Sequence, residues 1–248
     1  MSAHNIEVQG GSTVRLPTAG KYCDRDIVVT ATGGASGENK LAKVVDGSVT
    51  EITASDLEGV GTIRQYAFYR CTKLKKVVFP TTTWNTGTSA FYGCTLLETI
   101  DFSRCETIRY IGPNSFEGCT ALQTVEIPKT VTDVSMYGFS GCTKLSSVVF
   151  DDDSTLTTIG SYAFRNCSAL ESVTIPQSVK KLETGAFDKC TALKTIRIKS
   201  KTPPNIQYNT FSNIPTDCVF VVDEGCGDAY KAATNWSAYA DKIVEDGA

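Results

Sequence analysis

The sequence predicts a β-solenoid built from one short unit repeated along the chain, and three observations carry that reading. Phenylalanine returns as Phe68, Phe91, Phe116, Phe139, Phe164 and Phe187, at intervals of 23, 25, 23, 25 and 23 residues. A cysteine follows each by three residues, as Cys71, Cys94, Cys119, Cys142, Cys167 and Cys190. After each cysteine comes a leucine and then an alternating apolar segment, from Leu74, Val77 and Phe79 in the first unit to Leu193, Ile196 and Ile198 in the last full one. A fixed period of this length marks units that cannot bury their apolar face alone and stack on their neighbours.

The elements follow in chain order. Residues 1–33 carry Ile6-Glu7-Val8, Val14-Arg15-Leu16 and Ile27-Val28-Val29-Thr30 between glycine-rich turns, which predicts a three-strand β mini-module. Gly33-Gly34-Ala35-Ser36-Gly37 has the composition of a flexible linker, placed at 34–39. Residues 40–56, with Leu41, Val44, Val45, Val49 and Ile52, are expected to cap the front of the stack.

Within a unit, alternation over Val-x-Ile or Val-x-Phe puts the apolar pair inward and the residue between them outward. Eight and five residues before each Phe lie further apolar positions, such as Val60 and Ile63, Ile108 and Ile111, Val131 and Val134, Leu156 and Ile159. They mark a second extended segment. The stretch from there to the cysteine, as in Ser161-Tyr162-Ala163-Phe164-Arg165-Asn166-Cys167, is too short for an independent helix and predicts one helical or 3₁₀ turn. The 25-residue intervals carry longer connections, Phe102-Ser103-Arg104-Cys105-Glu106 and Phe150-Asp151-Asp152-Asp153-Ser154, where the others have Ile127-Pro128 and Ile175-Pro176.

The solenoid is expected to run over 40–222 with its front cap. In 223–248 the repeat gives way to helical spacing, with Tyr230, Ala233, Trp236, Tyr239, Ala240 and Ile243 on one face, which predicts a helical cap over the last unit.

The residues of the repeat resemble the BspA-type bacterial leucine-rich repeat. Ile159-Gly160-Ser161-Tyr162-Ala163-Phe164-Arg165-Asn166-Cys167-Ser168-Ala169-Leu170-Glu171-Ser172-Val173-Thr174-Ile175-Pro176 follows its pattern almost throughout, and the likeness covers about residues 57–222. It implies a leucine-rich repeat solenoid wound as a right-handed superhelix. It also implies a non-enzymatic protein of the bacterial cell surface that binds a protein or glycan on another cell. Two units depart from the pattern. The one around Phe91 has Thr86 in the place five before Phe and Trp84 ahead of it, and the one around Phe211 has Ile214 and Asp217 where cysteine and leucine are due. Residues 16–31 are similar to short modules of phage tail and fibre proteins, which implies an alternative, a virion component that is trimeric rather than monomeric.

Composition narrows the classes. A net charge of −3 with both signs mixed leaves no electrostatic footprint for nucleic acid, and no run of 18 apolar residues could cross a membrane. The first residues, Met1-Ser2-Ala3-His4-Asn5, lack the basic and apolar regions of a signal peptide. Six of the ten cysteines form the column after Phe. Neighbours in such a column keep the strand spacing of about 4.7–4.9 Å, wider than the roughly 3.8 Å mean between Cβ atoms in a disulfide, so free buried thiols are expected. A Cys218 to Cys226 bridge stays open as an alternative.

Chemistry finds little purchase. His4 is the only histidine, the cysteines are not clustered, and no nucleophile and base are paired, so no catalytic residue, metal or cofactor is expected. Asp151-Asp152-Asp153 lacks the glycine and spacing of a calcium loop and reads as a solvated turn.

Binding remains, and two sets of residues are candidates. The outward strand column changes type at every unit and supplies Asp101, Glu126, Thr174 and Arg197. Tyr66, Tyr137 and Tyr162, two residues before Phe, offer contact area with a polar tip.

Overall fold

The structure is a computed structural model that describes residues 28–31, 41–45, 50–57, 61–207 and 209–247. Most of the expected mini-module and linker, with His4, Cys23, Val49 and Val60, lies outside these residues. Val28–Ala31 is described, and it pairs antiparallel with Leu41–Val45.

The repeats form a parallel β-solenoid of about 8 turns. Each coil contributes one longer strand after its leucine: Lys76–Val78, Thr99–Asp101, Thr124–Ile127, Ser147–Phe150, Ser172–Ile175, Thr195–Ile198 and Val219–Val222. Register is set by the alternation, so that Val173 lies beside Ile196 and Ile196 beside Phe220, all buried. A second ladder runs through the short strands Tyr110–Ile111, Asp133–Val134, Thr158–Ile159, Lys181–Leu182 and Asn205–Ile206, and isolated bridges extend it back through Asn85 to Thr62.

The long-strand ladder is broken twice. Glu51–Ile52, Lys76–Val78 and Thr99–Asp101 form one sheet, Thr124–Ile127 and Ser147–Phe150 a second, and Ser172–Ile175 onward a third. Both breaks fall at the 25-residue intervals. The extra residues there follow the strand directly, so the longer connection and the missing pairing occur together.

The segment around each Phe is a pair of hydrogen-bonded turns rather than the helical turn its length suggested. Two positions per coil adopt left-handed φ, one two residues before Phe (Tyr66, Ser89, Asn114, Tyr137, Tyr162, Gly185) and one two after it (Arg70, Gly93, Gly118, Gly141, Asn166, Lys189, Asn213). A left-handed residue ends a right-handed helix, and it frees the intervening N–H groups to bond across coils. Phe91 N–H donates to Ser115 O at 2.7 Å, Phe139 N–H to Ala163 O at 2.8 Å and Phe164 N–H to Ala186 O at 2.8 Å. This third ladder holds the turn edge in register.

The core is an array of columns. The rings of Phe68, Phe91, Phe116, Phe139, Phe164, Phe187 and Phe211 stack with centroids 4.8–5.8 Å apart and planes within 15° of parallel. Beside them the thiols of Cys94, Cys119, Cys142, Cys167 and Cys190 each donate to a phenylalanine carbonyl of the preceding coil, at 3.0–3.4 Å. Cys218 and Cys226 are also free and buried. Cys71 is the exception to six free thiols, because it takes part in a disulfide. It follows Phe68, the first phenylalanine of the chain.

Burial pushes the Cys94, Cys142 and Cys190 thiols up to about 12. Only the thiolate reacts. An alkylating reagent at mildly alkaline pH is therefore expected to leave the five column thiols intact in the folded chain and to modify all five after denaturation. Modification of Cys142 in the native protein would show an open column.

Both departures from the repeat are accommodated. Thr86 is buried, but its hydroxyl accepts from Gly112 N–H at 2.9 Å and pairs with the Ser115 hydroxyl at 2.8 Å, so a satisfied polar pair replaces an apolar contact. In the last unit Cys218 is buried in place of leucine, one residue later than the spacing suggested, while Asp217 is exposed. The hydroxyls of Thr130 and Ser178, at matching places nine residues before Phe139 and Phe187, are buried without a hydrogen-bond partner.

The end cap is mixed. A helix, Gly227–Ala232, and a 3₁₀ segment, Trp236–Lys242, bury Tyr230 and Trp236. The chain then returns as a strand, Ile243–Glu245, which adds a parallel rung to Val219–Val222. Tyr230 donates its hydroxyl to Ser200 O at 2.6 Å and Trp236 its indole N–H to Pro204 O at 2.8 Å, so both large side chains are buried with their polar atoms satisfied.

Candidate functional site

Two surfaces hold the candidate residues, the turn edge and the outward face of the long strands. On the turn edge the tyrosines divide into two groups. Tyr137 and Tyr162 stack at 5.0 Å, with the Arg165 guanidinium 5.6 Å from the Tyr162 ring. Tyr66 lies nearer the front of the solenoid, edge-on to Tyr69, which in turn stacks on Tyr92. All three candidates are partly buried and occupy the left-handed position, at φ 62, 57 and 59. That conformation disfavours a bulky side chain by about 1–3 kcal/mol. The coil after Tyr162 has Gly185 at the equivalent place, where a Cβ would stand 2.4 Å from the Tyr162 ring. Tyr162 is thus packed between Tyr137 and a glycine, leaving little of its ring face open.

On the strand face Asp101, Glu126, Thr174 and Arg197 all point outward, as alternation requires. Thr174 and Arg197 are neighbours in register. Arg197 is engaged, contacting Asp246 and lying 3.9 Å from Asp223. Asp101 accepts a 2.9 Å hydrogen bond from Ser103 N–H, and bonding from Ser103 holds its carboxyl below the usual range.

Asp101 and Glu126 lie on the two strands that flank the first break in the ladder, and a cavity of about 720 Å³ opens there. Glu106, Lys129, Thr130 and Asp151 from the connecting loops complete its polar wall, while Val149 and Pro128 supply apolar surface. Strand alternation singles out Asp101 and Glu126 but not the loop residues. The signal for these was the longer Phe102–Glu106 connection, whose spatial neighbours depend on the coil winding. Trp84, Tyr110 and Met136 also escape the repeat pattern as surface candidates, and each is 44–47% accessible.

Among the described residues no group of three or more His, Cys, Asp or Glu is placed to hold a metal ion, and no helix is long and apolar enough to cross a membrane. The buried thiols lack the exposed, electropositive setting of a nucleophile.

The sequence profile of the BspA-type leucine-rich repeat region matches in six copies, over residues 46–156 and 103–216. A leucine-rich repeat protein of T. pallidum is 24% identical, over 77% of this chain and 90% of its own, with a TM-score of 0.64. One from Bacteroides ovatus is 19% identical, over 78% of this chain and 59% of its own, with a TM-score of 0.57. No curated protein matches the chain. At these identities the solved structures establish the fold.

Proposed function

Because the chain belongs to the BspA-type leucine-rich repeat family, we propose that it is a non-enzymatic recognition protein, displayed on a bacterial surface, that binds a protein or glycan on another cell. One observation carries this reading: the coils repeat their buried residues and vary their exposed ones. The inward columns keep Phe, Cys and Leu from coil to coil, whereas the outward column runs Val78, Asp101, Glu126, Val149, Thr174 and Arg197 on strands of fixed register. A rigid frame with a changing face presents a specific pattern at little ordering cost on binding. Asp101, Glu126, Thr174 and Arg197 are the proposed strand-face contacts, and Tyr66, Tyr137 and Tyr162 the proposed turn-edge contacts.

The test is saturable binding of the labelled chain to intact bacteria and to immobilised host matrix proteins. Binding to either that is abolished when Asp101, Glu126 and Thr174 are replaced supports the strand face. Abolition on replacing Tyr66, Tyr137 and Tyr162, with the denaturation midpoint unchanged, moves the site to the turn edge. Absence of binding to both classes of target overturns the recognition reading.

A further inference from the structure

We propose that the solenoid carries a hinge between the coil of Phe91 and the coil of Phe116. The coils of Phe68 and Phe91 swing as one body against those from Phe116 onward, turning about the turn edge and opening on the long-strand side. Such a motion is independent of what the protein binds.

Three backbone ladders join the coils, and at this junction two of them are thinned. Thr99–Asp101 and Thr124–Ile127 lie at the first break without pairing. In the short-strand ladder a single bridge, Asn85 to Tyr110, stands where later coils pair two residues, as Thr158 with Lys181 and Ile159 with Leu182. Side chains take over from backbone. Gly112 N–H donates to the Thr86 hydroxyl, whereas Ser135, Gly160 and Glu183 N–H donate to the carbonyls of Ile111, Val134 and Ile159. The Cys105 thiol and the Thr107 hydroxyl donate to Thr83 O at 3.0 Å, where at the second break Thr155 N–H donates to Lys129 O at 2.9 Å.

The core changes at the same junction. Five residues before Phe, other coils bury Ile63, Ile111, Val134, Ile159, Leu182 and Ile206, but the Phe91 coil buries Thr86, which pairs with the Ser115 hydroxyl across the junction. Less apolar surface therefore holds these two coils together.

Neither neighbouring irregularity combines these features. The junction between the Phe68 and Phe91 coils also has a single bridge, Thr62 to Asn85, but keeps Lys76–Val78 paired with Thr99–Asp101. The second break keeps a two-residue short ladder, Thr158 with Asp133 and Ile159 with Val134, over an apolar core.

The third ladder sets the axis. Ser89, Phe91 and Gly93 N–H donate to Pro113, Ser115 and Glu117 O at 2.7–2.8 Å, and the Phe91 and Phe116 rings stack at 5.1 Å. With one side fully bonded and the opposite side unpaired, rotation about the bonded side breaks the fewest contacts. The cavity of about 720 Å³ lined from both unpaired strands marks the side that opens. Opening changes the separation of Asp101 and Glu126 in the outward column and leaves the spacing within each body fixed.

The experiment is amide hydrogen exchange of the full chain, resolved residue by residue by NMR and expressed as protection factors. Arg109 N–H, bonded to Trp84 O at 3.0 Å, and Gly112 N–H lie on the opening side; their counterparts at the second break are Thr157 and Gly160 N–H. Arg109 and Gly112 are expected to be about tenfold or more less protected than Thr157 and Gly160, a difference equal to one or two net hydrogen bonds. Phe91 and Gly93, on the axis, should match Phe139 and Gly141. Phe91 and Gly93 stand nearer the front of the chain than Arg109, so fraying from that end would strip them first. Equal loss of protection in Phe91, Gly93, Arg109 and Gly112 would mean that the front coils unfold and would overturn the hinge. Protection of Arg109 and Gly112 equal to that of Thr157 and Gly160 would show a rigid junction and overturn it as well.

Discussion

Replacing Phe139 with alanine is expected to destabilise the protein by about 3–5 kcal/mol, read as a fall in the chemical denaturation midpoint. Its ring is fully buried and stacked on Phe116 at 5.3 Å and on Phe164 at 5.5 Å, so truncation removes two aromatic neighbours and leaves a cavity between them. Neighbouring coils are held from closing that cavity by three backbone ladders on the Phe116 side and by the short-strand and turn ladders on the Phe164 side. The Phe139 N–H keeps its bond to Ala163 O, so the effect isolates the side chain. Nearest-neighbour coupling spreads the destabilisation into the flanking coils. An unchanged midpoint would show that the phenylalanine column is not the core.

Trp236→Ala is expected to cost a similar amount, about 3–5 kcal/mol, but to act at one end. Trp236 covers the last coil through its contacts with Phe211, Phe220 and Tyr230, and its indole N–H satisfies Pro204 O. Without it the terminal face of the aromatic column meets water and that carbonyl is left without its donor. Amide hydrogen exchange should therefore accelerate first in Val219–Val222 and Thr195–Ile198, while Thr124–Ile127 keeps its protection. Uniform loss of protection along the chain would mean that the solenoid unfolds as a single unit and that the end cap is not a separable contribution.

The inward columns were legible because they obey local rules. Period and alternation alone place Phe164, Cys167, Leu170 and Val173 on the buried side, and each is at most 3% exposed. The turn between them was not legible as a helix or a coil. Its form depends on whether Phe164 N–H bonds within its own turn or to Ala186 O of the next coil, and that choice exists only once the coils are stacked. Thr86 was visible only as an anomaly, since its partner Ser115 lies 29 residues away. The disulfide at Cys71 also escaped the column argument, which constrains only cysteines related by one coil.

By itself the sequence determined the repeat, its register and its buried residues, because the spacing of apolar side chains dictates which face a strand or turn can bury. Tertiary structure alone decided where the surface is open. Asp101 and Glu126 come to one cleft with Glu106 and Asp151 only through the winding of adjacent coils and the two interruptions of the ladder. Arg197 is engaged by Asp246, 49 residues further on, through the final parallel strand. Burial is enforced repeatedly by the same residue types and so leaves a pattern along the chain. The pairing of exposed charges depends on distances between coils that no single unit encodes.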